Sequence, residues 1–174
     1  MARLGSILPK TKTTPLHTIL TRERVNFSEE GILVILLHTK TIQFGKRRLH
    51  IPLLRTTSTL CPVQAYEELL ALCDVHSSGP AFVFTNKGQV HWSTSILFIH
   101  TFRTVLKSGG IAEAHTFTGH SFRRGGATWA FQAGVPGELI QVCGCIGLCM
   151  TPPLLYVMHI LLPTLVYFRM CLRF

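Results

Sequence analysis

The sequence predicts an α+β domain, mostly helical, with one small antiparallel sheet. Three observations carry this. Two apolar, β-branched runs, Val25-Asn26-Phe27 and Gly31 to Leu37, flank a short turn at Ser28-Glu29-Glu30. A third run, Lys46 to Leu53, follows a loop over Thr39–Gly45 and pairs back onto them. Beyond Pro62 the apolar period changes from two to near 3.6. Pro62 opens a helix through Cys73, with Val63, Tyr66, Leu69, Leu70 and Cys73 on one face. Phe82-Val83-Phe84 reads as a short buried strand and Asn86-Lys87-Gly88 as a turn. Ser93 or Thr94 caps a helix that runs to Lys107 and ends at Gly109-Gly110. A helix from His120 to about Ala133 stops at Gly134, and Pro136 opens another across Glu138 to Val142.

The chain has 174 residues, enough for one domain with a real core. A formal charge of +9 favours a polyanionic partner, nucleic acid before membrane. The six cysteines do not form a disulfide framework: no signal peptide is evident, and Cys143, Cys145, Cys149 and Cys171 crowd the C-terminal end. Cys143-x-Cys145 and Cys149 lack a C-x-x-C partner, so no zinc site is expected, and the thiols read as reduced and intracellular. His17, His50, His76, His91, His100 and His115 show no metal-ligand spacing and are read as structural.

One stretch concentrates chemistry: Gly119-His120-Ser121-Phe122-Arg123-Arg124-Gly125-Gly126-Ala127-Thr128. His120 and Arg123 are three apart, which puts imidazole and guanidinium on one helix face. Imidazole moves protons near neutral pH, and guanidinium holds a phosphate through two parallel hydrogen bonds. In so basic a chain the pair points to phosphoryl chemistry on a nucleic acid. The plainer reading makes His120 a helix-end residue held by a core hydrogen bond and Arg124 a surface or backbone-contacting residue. Trp129 and Phe131 are expected in the core.

Followed by Gly134-Val135-Pro136 and Leu139-Ile140-Gln141, this string resembles the catalytic domain of tyrosine recombinases (phage integrases), particularly the branch carried by eukaryotic mobile elements. The resemblance covers roughly residues 2–144. It implies the catalytic-domain fold of that family, a helical bundle with a small antiparallel sheet. It also implies DNA integration or recombination, in which a tyrosine attacks a phosphodiester to form a 3′-phosphotyrosine link. No metal or cofactor is implied; cationic side chains stabilise the phosphate. His120 matches the histidine that assists proton transfer, and Arg123 the arginine on the non-bridging oxygens. Ala2-Arg3-Leu4 makes Arg3 the candidate first-box arginine. Lys40, in His38-Thr39-Lys40-Thr41, takes the place of the lysine between two strands, with Lys46 as runner-up. Lys46, Arg47, Arg48 and Arg124 are candidate DNA-backbone contacts. Without the resemblance, Arg3 reads as a terminal surface residue, Lys40 as a solvated hairpin lysine, and Lys46-Arg47-Arg48 as a basic strand edge.

The resemblance fails after Gly144. The family continues toward a His or Trp on the phosphate, and Ile146 stands there, with no hydrogen-bonding group. Tyr156 falls near the nucleophile's distance, within Pro-Pro-Leu-Leu-Tyr-Val-Met, and Tyr167 is the other tail tyrosine. From Gly144 onward there is no acidic residue, and Arg169 and Arg173 are the remaining charges. The expected organisation is therefore a partial catalytic domain over 1–144 and an apolar, non-homologous tail over 145–174. Read from the third base of each codon, Ile146-Gly147 yields Trp if the isoleucine codon ends in T, and Met150-Thr151 yields Asp. The tail is thus expected to be a frameshifted or mis-spliced end. Reading the coding DNA in that frame tests this, and a stop codon there overturns it. At the other end, Met1 lies two residues before Arg3, so the helix before the first box and an N-terminal DNA-clamping domain are expected to be missing.

The expected protein is a defective recombinase domain, intracellular or nuclear, bound to DNA and self-associating on it. Two rivals stand beside it. One is a non-catalytic DNA-binding module. The other is a small membrane-associated protein anchored by 139–168, a segment free of Asp, Glu, Lys and Arg and long enough to span a bilayer.

Overall fold

A computed structural model of the chain describes residues 4–38, 48–57, 61–73 and 76–140. Arg3, Lys40, Lys46, Arg47 and Tyr156 lie outside these, as does the tail over 145–174. Among the described residues, helices α1 (Leu4–Ile7), α2 (Pro62–Leu72), α3 (Ser95–Ser108) and α4 (Gly119–Gln132) follow in chain order. Residues 137–140 are helical after Pro136, as expected, with Gln141 and Val142 outside the described residues. The described strands are β1 (Val25–Phe27), β2 (Gly31–Leu36), β3 (Leu49–Leu54), β4 (Val83–Asn86) and β5 (Gln89–Trp92). This mixture of helices and small antiparallel sheets is the α+β class expected.

β1, β2 and β3 form an antiparallel sheet with β2 in the middle. Register is set by the apolar alternation, because a one-residue slip would turn every core side chain to solvent. Val34 lies opposite both Val25 and Ile51, and Ile32 lies opposite Leu53. These five side chains are buried, while His50, Pro52 and Leu54 are exposed. Pro52 is tolerated because β3 is an edge strand, where a missing N–H need not break a ladder.

α2 begins with Pro62 at its first position, as expected, and lays Val63, Ala65, Tyr66 and Leu69 into the core under the sheet. The Tyr66 ring sits 6.0 Å from Phe27 and 5.9 Å from Phe82. α3 is capped by Thr94, whose side chain accepts from the Leu97 N–H at 3.2 Å.

Two departures concern β-structure and aromatic burial. A second sheet, the β4–β5 hairpin, was not foreseen in the one-sheet reading; Gln89–Trp92 pairs back on Val83–Asn86. Its turn places both Lys87 (φ 49°) and Gly88 (φ 77°) in the left-handed region. Such a two-residue turn matches the twist of the strands it joins. Trp129 and Phe131, expected in the core, are 58% and 69% exposed. On α4, Phe122 packs against the core, and Gly126 and Ala130, buried at four-residue spacing, continue its stripe. Trp129 and Phe131 flank Ala130 at about 100° on either side and so point off that stripe.

Candidate functional site

The candidate site is the first two turns of α4, and its geometry starts with Thr118. The Thr118 side chain accepts from the His120 N–H at 3.3 Å, and the Ser121 hydroxyl accepts from the Thr118 N–H at 3.0 Å. This reciprocal capping box satisfies two backbone donors that a helix start otherwise leaves unpaired. Thr118-x-x-Ser121 is the sequence signal that would have placed this helix start.

His120 and Arg123 sit one turn apart, and both are exposed, as is Arg124. No acidic residue occupies the first turn. Partial positive charge from the helix start therefore adds to that of the guanidinium groups instead of being neutralised. The ion pairs Arg24–Glu23 and Arg55–Glu67 involve no residue of α4. The arrangement offers an anion a fork of N–H donors, an imidazole and an unneutralised helix end.

Between His120 and Arg123, Phe122 turns inward and anchors the face. Its ring lies 4.6 Å from Phe102 and 5.6 Å from Phe98, both buried on α3. Phe117, just before the cap, stands edge-on to Phe102 at 6.0 Å. On the other side of the helix start, a Cβ built on Gly119 would lie 3.6 Å from Leu4. So the fold brings Leu4, the residue after Arg3, against the residue before His120. Arg48, the described member of the basic strand edge, is exposed immediately before β3. The segment that carries Lys40 joins β2 to β3.

Arg103 was missed by the sequence reading. Its Nε donates to the Phe117 carbonyl at 2.8 Å, across fourteen residues. Nothing local in the sequence signals such a bond. Among the described residues no group of three or more His, Cys, Asp or Glu could hold a metal ion. No helix among them is long and apolar enough to cross a membrane.

With this geometry in hand, comparison with known proteins adds one informative likeness. The chain is 31% identical over 113 residues to an integrase/recombinase XerD homolog of Selenomonas ruminantium. The match takes in 63% of this chain and 33% of that protein, so the chain spans about a third of the length of the curated relative it matches. The likeness supports a relationship at the family level to the tyrosine recombinases, which the Gly119–Thr128 string resembles. No family model matches the chain, and no solved structure matches it.

Proposed function

We propose that this chain is the phosphate-binding part of a tyrosine recombinase catalytic domain of the mobile-element branch, that it binds DNA, and that strand transfer is defective in it. One observation carries the reading: His120 and Arg123 are exposed one turn apart on a capped helix start that has no acid in its first turn. In this reading Arg123 grips the non-bridging oxygens of the scissile phosphate through parallel N–H donors. His120 exchanges a proton at the attacking oxygen. Arg3 and Lys40 complete the cationic cradle and Tyr156 is the candidate nucleophile. The approach of Leu4 to the Gly119 position supports Arg3, because Arg3 adjoins Leu4 in the chain as His120 adjoins Gly119. Arg48 and Arg124, with Lys46 and Arg47, hold the DNA backbone. The likeness to an integrase/recombinase points the same way. The defect follows from Ile146, an aliphatic side chain where a hydrogen-bond donor to the phosphate is expected.

A nicked DNA duplex pool of random sequence tests this. The expected result is salt-sensitive, non-covalent binding that weakens roughly tenfold in Arg123→Ala, the order of one charge-assisted contact. No covalent adduct should accumulate. An adduct that disappears in Tyr156→Phe would overturn the defect. Binding unchanged in His120→Ala and Arg123→Ala would overturn the site.

A further inference from the structure

The peptide unit that joins Phe117 to Thr118 is held at both of its polar ends. Its carbonyl accepts from Arg103 Nε on α3 at 2.8 Å. Its N–H donates to the Ser121 hydroxyl at 3.0 Å. A peptide unit is planar, so fixing the oxygen and the hydrogen fixes the plane and the direction in which the chain enters α4. The Phe102, Phe117 and Phe122 rings next to it supply contact area. Such packing is not directional, and a hydrogen bond is. Arg103 is half-buried, and its planar guanidinium presents Nε in a fixed direction.

We propose that Arg103 is a positioning residue: it locks the 117–118 peptide and thereby aims His120 and Arg123 at their phosphate. The proposal rests on the reading of that face as a phosphate site. Its structural half, the locking of the α4 start, is measured separately from DNA binding.

Two variants isolate the bond. Arg103→Gln keeps an N–H donor at the same distance along the side chain as Nε, and Arg103→Met keeps the length without a donor. Both remove the charge. Amide hydrogen exchange is followed over Ser121–Gly126 and, as a control, over β2 and β3, alongside affinity for a duplex of fixed sequence. Arg103→Met is expected to speed exchange over Ser121–Gly126 at least tenfold, leave β2 and β3 unchanged, and weaken duplex binding. Arg103→Gln is expected to retain both properties close to wild type. Equal loss of duplex affinity in the two variants, with exchange unaltered, would overturn the proposal and make Arg103 a direct charge contact. Unaltered exchange in a folded Arg103→Met overturns it equally. If Arg103→Met does not fold, Arg103→Gln decides: wild-type exchange upholds the assignment, and loosened exchange over Ser121–Gly126 overturns it. If the wild-type chain binds no duplex, the phosphate reading falls, and with it the aiming of His120 and Arg123, while exchange still decides whether Arg103 locks the helix start.

Discussion

Tyr66 is 2% exposed between Phe27 and Phe82, and its hydroxyl has no hydrogen-bond partner among the described residues. Burial pushes its pKa up to about 12, against the pull of the nearby Arg22 charge. The raised value means that the folded state keeps its proton at a pH where the unfolded chain, near 10, begins to lose it. The contribution is therefore fully present below pH 10 and is lost as pH rises toward 12. Tyr66→Phe should leave stability at pH 7 unchanged or raise it by up to about 1 kcal/mol, because an unsatisfied hydroxyl is removed. It should also remove a loss of about 1.4 kcal/mol per pH unit across that alkaline window. Urea titrations of both proteins at pH 7, 10 and 11 check this; parallel losses would assign the alkaline slope to another group. At this scale the sequence was legible where partners are close along the chain. His120 and Arg123 follow from three-residue spacing, whereas the Thr118–Ser121 capping box, equally local, went unread. Arg103 did not follow, because its acceptor is a carbonyl fourteen residues away on a different element.

Among the elements, β2 shows how a single position can decide a sheet. A Cβ on Gly31 would collide with the backbone carbonyl of Leu53 on β3, so no rotamer relieves it. Gly31→Ala is expected to cost about 3 kcal/mol, as overpacking against a backbone does. Gly125, within α4, is open around its Cβ position, and Gly125→Ala should stabilise by about 0.5–1 kcal/mol through helix propensity. Thermal or urea unfolding of the two variants checks both signs at once, and equal effects would contradict the β2–β3 register. Helix identities were readable because Pro62, Thr94 and the glycines at 109–110 and 134 punctuate a 3.6-residue period. The β4–β5 hairpin was half-readable. Asn86-Lys87-Gly88 marks the turn, but Gln89-Val90-His91-Trp92 is too short and mixed to declare itself a strand without its partner.

For the whole molecule, the positive charge divides into two populations. Arg22 donates to the Cys73 carbonyl at 2.7 Å, Arg24 to the Ile19 carbonyl at 3.0 Å, and Arg103 to that of Phe117; Arg55 pairs with Glu67. These side chains fasten segments together. Arg123 and Arg124 are exposed on α4, where a polyanion can reach them. Arg123→Gln and Arg124→Gln should each reduce the slope of log affinity against log salt for a DNA duplex by about 1. Arg24→Gln should leave the slope unchanged and lower stability instead. Binding titrations across a salt series check this, and a slope change in Arg24→Gln would erase the distinction. Trp129 and Phe131 teach the same lesson for apolar residues. Composition counts them as core material, yet the buried positions of α4 are Gly126 and Ala130, and the two aromatic rings fall to either side of that stripe.

Local rules therefore determined the α+β class, most helix starts and stops, and the pairing of an imidazole with a guanidinium on one face. Each of these depends on residues within a turn or two of one another. Tertiary structure decided which arginines are architectural and which are exposed, that the residue after Arg3 packs against the residue before His120, and that α4 shows Trp129 and Phe131 to solvent. Those outcomes depend on contacts between distant elements, whose free energy is set by shape and approach distance and leaves no period in the chain.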